Sequence, residues 1–282
     1  AWGEPLSDVI EALSVHSRLE KLELVNINVG RNECASLANL LRHPATELHT
    51  LDLRDNGIDD EGVDALVGDL ANSRLRCLEL SQNNITARGR ESLATTLLED
   101  PNSNLEELFL YQNNIGDEGA IGFANALATN RKLKYLYLGN NGITAQGWSS
   151  FSKILCDTSS INNTFLSNHT LEKLGMSLIP VDVRASLILN SSSTNKKQVA
   201  IKKILKHHRH FDMQPFFEWD LKVLPLVVDW FESARCVENV DEAGIDRRKL
   251  DAIYQFIRAM PDVIEPAPAA AGEKRKRGSL II

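Results

Sequence analysis

Cysteine is scarce and scattered: four residues in 282, at positions 34, 77, 156 and 236, form no CxxC pair and no Cys/His cluster of zinc type. Free thiols in a reducing compartment are expected. The first residues, AWGEPLSDVIEAL, pattern as an amphipathic helix rather than the apolar core of a secretory signal. Long apolar runs are also missing, and none approaches the roughly 18 residues a bilayer-spanning helix needs. Positive charge is short, 31 Lys and Arg against 38 Asp and Glu, for a net charge of -7. A generic basic face for nucleic acid or an anionic membrane is therefore disfavoured. No G-x-x-x-x-G-K-[ST], H-E-x-x-H, G-x-S-x-G or EF-hand loop is present, so no catalytic residue, metal site, cofactor or small-molecule substrate is implied. The HHRH run at His207 to His210 reads as a helix-end cluster, because adjacent helical positions point in different directions. The expected location is cytoplasmic, and the sequons at Asn84, Asn162, Asn168 and Asn190 read as chance matches.

What the chain does have is a period. The pattern L-x-x-L-x-L-x-x-N-x-I starts at Leu19, Leu48, Leu75, Leu105, Leu133 and, degenerately, Ile161, with spacings of 27 to 30 residues. Leu51 and Leu53, Leu78 and Leu80, Leu108 and Leu110, and Leu136 and Leu138 alternate with other residues at period two, which predicts short strands with one face inward. Past each isoleucine a glycine (Gly62, Gly89, Gly119, Gly147) opens a helical pattern. Apolar residues follow at four-residue steps: Leu66 and Leu70, Leu93 and Leu97, Phe123 and Leu127, Phe151 and Leu155. One strand and one helix cannot bury their apolar faces alone, so the units must stack.

This pattern resembles the leucine-rich repeat, and its helical form is similar to the ribonuclease-inhibitor-like subclass, over residues 1 to about 180. The resemblance implies an α/β solenoid, a horseshoe with parallel strands on the concave face and helices on the convex face. It also implies that Asn56, Asn83, Asn113 and Asn141 form a ladder of buried amides bonding backbone groups of adjacent turns. His169 falls at the sixth ladder position and is expected to substitute for the asparagine. Val9 and Leu13 match helix positions of a preceding repeat, so the chain is expected to begin mid-repeat, as Ala rather than Met at position 1 also suggests. Residues 186 to 190, SLILN, could form a final strand. A helical C-terminal region is expected over 181–264, from helices carrying Val199 to Leu205, 215–231 and 247–260, with Trp219 and Trp230 in its core. Residues 265–282 are expected to be a disordered basic tail whose KRKR is a weak nuclear-import candidate.

Residues between the strand leucines point out of the concave face, free of packing duty. The middle outward row reads Glu23, Asp52, Glu79, Phe109, Tyr137 and Phe165, beside Lys21, Thr50, Cys77, Glu107, Tyr135 and Asn163, then Val25, Arg54, Ser81, Tyr111, Gly139 and Ser167. The acidic half suggests a partner protein with a basic segment, unless Lys21 and Arg54 neutralise it. Phe109, Tyr111, Tyr135, Tyr137 and Phe165 supply the aromatic anchors that protein interfaces use. The expected function is protein binding on this face, through Glu23, Asp52, Glu79, Glu107 and those five aromatics. The resemblance admits two other roles: regulation of a small GTPase, as in the Ran GTPase-activating proteins, and a structural place in a large assembly. A receptor of the nucleotide-binding immune-sensor kind would need sequence upstream of Ala1.

Overall fold

The computed structural model describes residues 6–208, apart from 16, 17, 69, 71, 72, 101, 102 and 176–178. The segments 215–231 and 247–260, Trp219, Trp230 and the KRKR tail lie outside the described residues. One compact unit runs Ala1–His207, and a second begins at His208.

Six strands, β1 (Lys21–Glu23), β2 (Thr50–Asp52), β3 (Cys77–Glu79), β4 (Glu107–Phe109), β5 (Tyr135–Tyr137) and β6 (Lys173–Leu174), pair in sequence order as one parallel sheet. Between them lie α2 (Arg31–Arg42), α3 (Asp60–Val67), α4 (Ala87–Leu93), α5 (Gly116–Leu127), α6 (Ala145–Leu155) and α7 (Ile161–Leu166). A short α1 (Leu6–Ala12) precedes β1, and α8 (Val181–Ser191) and α9 (Lys196–His207) follow β6. The central leucines of β2 to β5 and Leu174 of β6 are buried, while Leu22 of β1 is half-buried; consecutive helices from α1 to α6 pack on one another, and α7 packs on α9. The leucines of successive strands form a continuous core with Leu66, Phe123, Phe151 and their neighbours. At roughly 1.5–3 kcal/mol for each fully buried leucine side chain, this layer outweighs any one hydrogen bond in the unit.

The turns after β2 to β5 are closed by the asparagine ladder. Asn83 Nδ2 donates to Leu80 O at 3.0 Å in its own repeat and to Leu53 O at 3.1 Å in the preceding one, while its Oδ1 accepts from Asn56 N and Ile58 N. Asn56, Asn113 and Asn141 each reach back in the same way, to Leu24 O, Leu80 O and Leu110 O. The residue before each of them, Asp55, Gln82, Gln112 or Asn140, is left-handed, with φ between 54° and 58°. Donor and acceptor are both used, so only an amide of this length fits.

Helices are held to one another by a second device. Thr86 caps α4 by accepting from Arg88 N, and its own N–H and hydroxyl donate to Asp60 of α3 at 2.8 and 2.6 Å. Thr144 and Asp117 repeat this between α6 and α5 at 2.7 and 2.6 Å. The glycines of α4, α5 and α6, Gly89, Gly119 and Gly147, leave room for the approach. A Cβ on Gly119 would lie 2.3 Å from Ile115 Cγ2, and one on Gly147 2.4 Å from Asp117 Oδ1.

Four expectations are corrected by the fold. The sixth strand does not start at Ile161: residues 161–166 are α7, capped by Ser160, and β6 follows Leu171. An insertion of one helix shifts the repeat, and Leu171 and Leu174 are the buried leucines. His169 is accordingly no ladder residue. It is buried, with Nε2 3.0 Å from Phe165 O, and burial and the neighbouring Lys203 cation push its pKa down to about 4. SLILN is helical within α8, because Val183, Ser186, Leu187 and Asn190 are buried at helical rather than alternating spacing. In α1 the inward residue is Ile10 and not Val9, which is 45% exposed. Past Leu93 the helix widens to a π-helical turn over Ala94–Glu99, within which Leu98 is buried.

Helix α9 is anchored by a buried cation. Lys203 is fully buried, and its Nζ donates to Leu155 O, at the end of α6, at 2.6 Å and to Asn168 O at 3.3 Å. A helix C-terminus favours positive charge, yet burial dominates and lowers the lysine pKa to about 7. Cys34, Cys77 and Cys156 are free thiols.

Candidate functional site: the concave sheet face

The strands are in register, so outward residues form straight rows. Asp52, Glu79, Phe109 and Tyr137 are successive partners, and beside them run Thr50, Cys77, Glu107, Tyr135 and Lys173. Glu23, Asp52, Glu79, Glu107, Phe109, Tyr135 and Tyr137 thus stand where the period placed them, and Tyr111 just follows β4. Phe165 does not join them. It lies on α7, and the sixth member of the row through Tyr135 is Lys173, not Asn163. Ser167 likewise precedes β6 and donates to Asn163 O.

At the acidic end, charge is compensated within the sheet. Lys21 pairs with Glu23 in the same strand. Asp52 is 6% exposed and receives Arg54 through both Nε, at 3.0 Å, and Nη2, at 2.7 Å. Glu79 is half-buried, accepts from Ser81 N at 2.8 Å, and is held above the usual carboxylate range chiefly by burial. Glu107 has no ion pair among the described residues.

The aromatic end is built as a surface. Phe109 and Tyr137 stack with ring centroids 4.6 Å apart and planes 4° from parallel, a separation set by neighbouring strands. Both stay partly exposed. The Lys173 ammonium stands 5.2 Å from the centroid of Tyr135. Tyr111 is 39% exposed, and its hydroxyl accepts from Asn140 Nδ2 at 2.7 Å. Gly175, at φ 64°, continues the row past Tyr137 without a side chain. A Cβ there would crowd Gly139 N at 3.3 Å and Trp148 at 3.4 Å.

The Leucine Rich repeat family profile matches residues 46–67, 71–94, 102–124 and 129–152, four consecutive strand-and-helix units of this sheet. Residues 46–152 of this chain thus carry leucine-rich repeats. Over 105 residues the chain is 34% identical to the ribonuclease inhibitor of Mus musculus, a stretch covering 36% of this chain and 22% of that one. The chain thus spans about a fifth of the length of that relative. Among solved structures, leiomodin-1 actin-binding site 2 aligns over 73% of this chain and 96% of its own at 15% identity and a TM-score of 0.40. Leucine-rich repeats are typically protein–protein interaction modules. No helix among the described residues is long and apolar enough to cross a membrane.

Sequence reasoning missed Lys173 and a second polar series on the other side of the strands. Asn130 Oδ1 accepts from Lys132 N and Leu133 N while its Nδ2 donates to Leu98 O. Asn168 does the same with Thr170 N, Leu171 N and Leu127 O, and Asn190 Nδ2 donates to Leu171 O. Asn168 and Asn190 are fully buried, so neither sequon offers a free amide. The signal was present: NRKLKYL at 130–136 and NHTLEKL at 168–174 share N-x-x-L-x-x-L.

Proposed function

We propose that this protein recognises a partner protein on its concave face, across β3 to β6. Phe109, Tyr111, Tyr135 and Tyr137 would serve as anchors, and Glu79 and Glu107 would meet a basic segment. The observation carrying this reading is the parallel stack of Phe109 and Tyr137, which leaves two large rings partly exposed where the core has no use for them. Rigid aromatic surface of this kind contributes disproportionately to protein interfaces. Glu23 and Asp52, already paired with Lys21 and Arg54, would lie at the rim and contribute little affinity. The mouse relative is by name an inhibitor of a ribonuclease, which supports a protein as ligand, and the short coverage leaves that particular target with the relative.

The test is affinity capture from native extract with the intact chain and a Phe109→Ala, Tyr137→Ala variant, each first shown to melt alike, followed by titration of the recovered partner. The double variant is expected to bind at least about tenfold more weakly. Phe165→Ala, away from the sheet on α7, is expected to bind as the parent does. Equal affinity of the double variant and the parent would end the proposal.

A further inference from the structure

The geometry points to a guanidinium subsite on this face: an arginine of the partner lies against Phe109, over Cys77, with its N–H groups directed at Glu79 and Glu107. This rests on the concave-face reading above and adds the chemistry of the ligand. Four residues define a two-by-two cell of the sheet, Cys77 and Glu79 on β3 opposite Glu107 and Phe109 on β4. Neighbouring strands lie roughly 4.8 Å apart and alternate residues of a strand roughly 6.6 Å apart. The cell therefore has the breadth of a planar guanidinium group.

Its corners differ in size and charge. Cys77 is the small corner, with a shorter side chain than Glu79, Glu107 and Phe109. One ring face of Phe109 is covered by Tyr137, and its register neighbour on the other side is Glu79. Carboxylates at diagonal corners, one of them adjacent to the ring in the row and the other two residues before it in the strand, can accept in-plane N–H bonds from a cation stacked on that ring.

Charge separates this cell from the rest of the acidic end. Lys21 pairs with Glu23 and Arg54 with Asp52, whereas neither Glu79 nor Glu107 has an ion pair of its own among the described residues, Arg54 reaching Glu79 only through its longer-range field. The Cys77 thiol registers that field: burial first, then Glu107, Glu79 and Asp52, push its pKa up to about 11. The nearby cation Lys173 lies two strands away, over Tyr135. An extended segment crossing the strands would thus meet a cation-accepting cell, then stacked rings, then an ammonium. Arginine suits the cell better than lysine because its charge is planar, stacks on a ring and still donates along its edges.

The probes are three fluorescent pentapeptides of Gly and Ser with one central residue, Arg, Lys or citrulline, titrated by anisotropy against the full chain. The Arg peptide is expected to bind at least about fivefold more tightly than the Lys peptide and more tightly still than citrulline, which keeps the shape and loses the charge. E79Q/E107Q, which preserves side-chain volume and an acceptor for Ser81 N, is expected to abolish that preference. Equal binding of Arg and Lys peptides, no binding of any of the three, or an Arg preference that survives E79Q/E107Q overturns the subsite. If E79Q/E107Q keeps the native partners while Phe109→Ala, Tyr137→Ala loses them, the subsite falls and the concave-face reading stands. If neither variant changes capture, both fall.

Discussion

Asparagine 113 shows how much one side chain carries in this solenoid. Its amide joins Leu80 O, Leu110 O and Ile85 N, three buried backbone groups from two repeats that no water reaches. Asn113→Ala strips all three at once, and at roughly 1–3 kcal/mol for each buried group left unpaired the expected loss is about 3 kcal/mol or more, read from the urea midpoint. His169 gives a pH signature. Its folded pKa is near 4 and its ordinary value is 6.5, so between these the unfolded chain binds a proton that the native chain does not. Its contribution is full above pH 6.5 and is lost as pH falls through about 4. At about 1.4 kcal/mol for each pH unit the loss is at most about 3.5 kcal/mol. Unfolding titrations of His169→Gln are expected to show a flatter profile over that window. Lys203, lowered to about 7 from 10.5, works by the same rule at higher pH: stability rises across that interval as the unfolded lysine gives up its proton.

Elements in this protein are placed by contacts between repeats as much as by their own propensities. Gly119 of α5 faces Ile115 and comes within 3.5 Å of Ala87 Cα at the start of α4, measured from a built Cβ. Gly119→Ala must push those helices apart and is expected to cost about 1–3 kcal/mol of unfolding free energy, despite alanine's better helix propensity. Gly116→Ala, with nothing within 4 Å but a φ of 62°, is expected to cost about 1 kcal/mol, from backbone strain alone. The difference between the two melting curves separates crowding from conformation. The first five strands and their helices were legible in the sequence because leucine spacing is dictated locally, by which residues must face the core. The sixth strand was not. Ile161, Thr164 and Leu166 mimic the leucine pattern at the usual interval, and α7 takes that segment because Ser160 caps it and Thr164 is buried against Asp157 O and Ser160 O. The candidate site inherited both outcomes: its rows from Glu23 to Tyr137 followed from spacing, whereas Phe165 was misplaced and Lys173 overlooked. Neutralisation of Asp52 by Arg54 depends on side-chain approach within one strand and was legible only as an alternative.

At the scale of the whole unit, cohesion is nearly one-dimensional, since each repeat bonds to the one before and the one after it. Strand β1 lies at one edge of the sheet, and Ile27, where later repeats have a ladder asparagine, is 45% exposed. Among the described residues its turn is held by side-chain bonds from one side only, by Asn56 Oδ1 accepting from Ile27 N and Val29 N. The opposite end is closed differently: α8 packs on α6, α9 packs on α7, and Lys203 and Asn190 tie both to the last repeats. Opening should therefore start at β1 and travel inward, at a free energy below that of global unfolding. In hydrogen exchange followed by mass spectrometry, the amides of Leu24, Asn26 and Val29 are expected to exchange well before those of Leu80, Leu110 and Ile115. Asn56→Ala should speed the first group by about tenfold, the equivalent of about 1.4 kcal/mol, and leave the second group unchanged. Asn113→Ala, in the middle of the stack, should instead accelerate the central amides along with the edge. Equal acceleration everywhere by Asn56→Ala would mean that the six repeats open as one block, and the nearest-neighbour account of this solenoid would have to be abandoned.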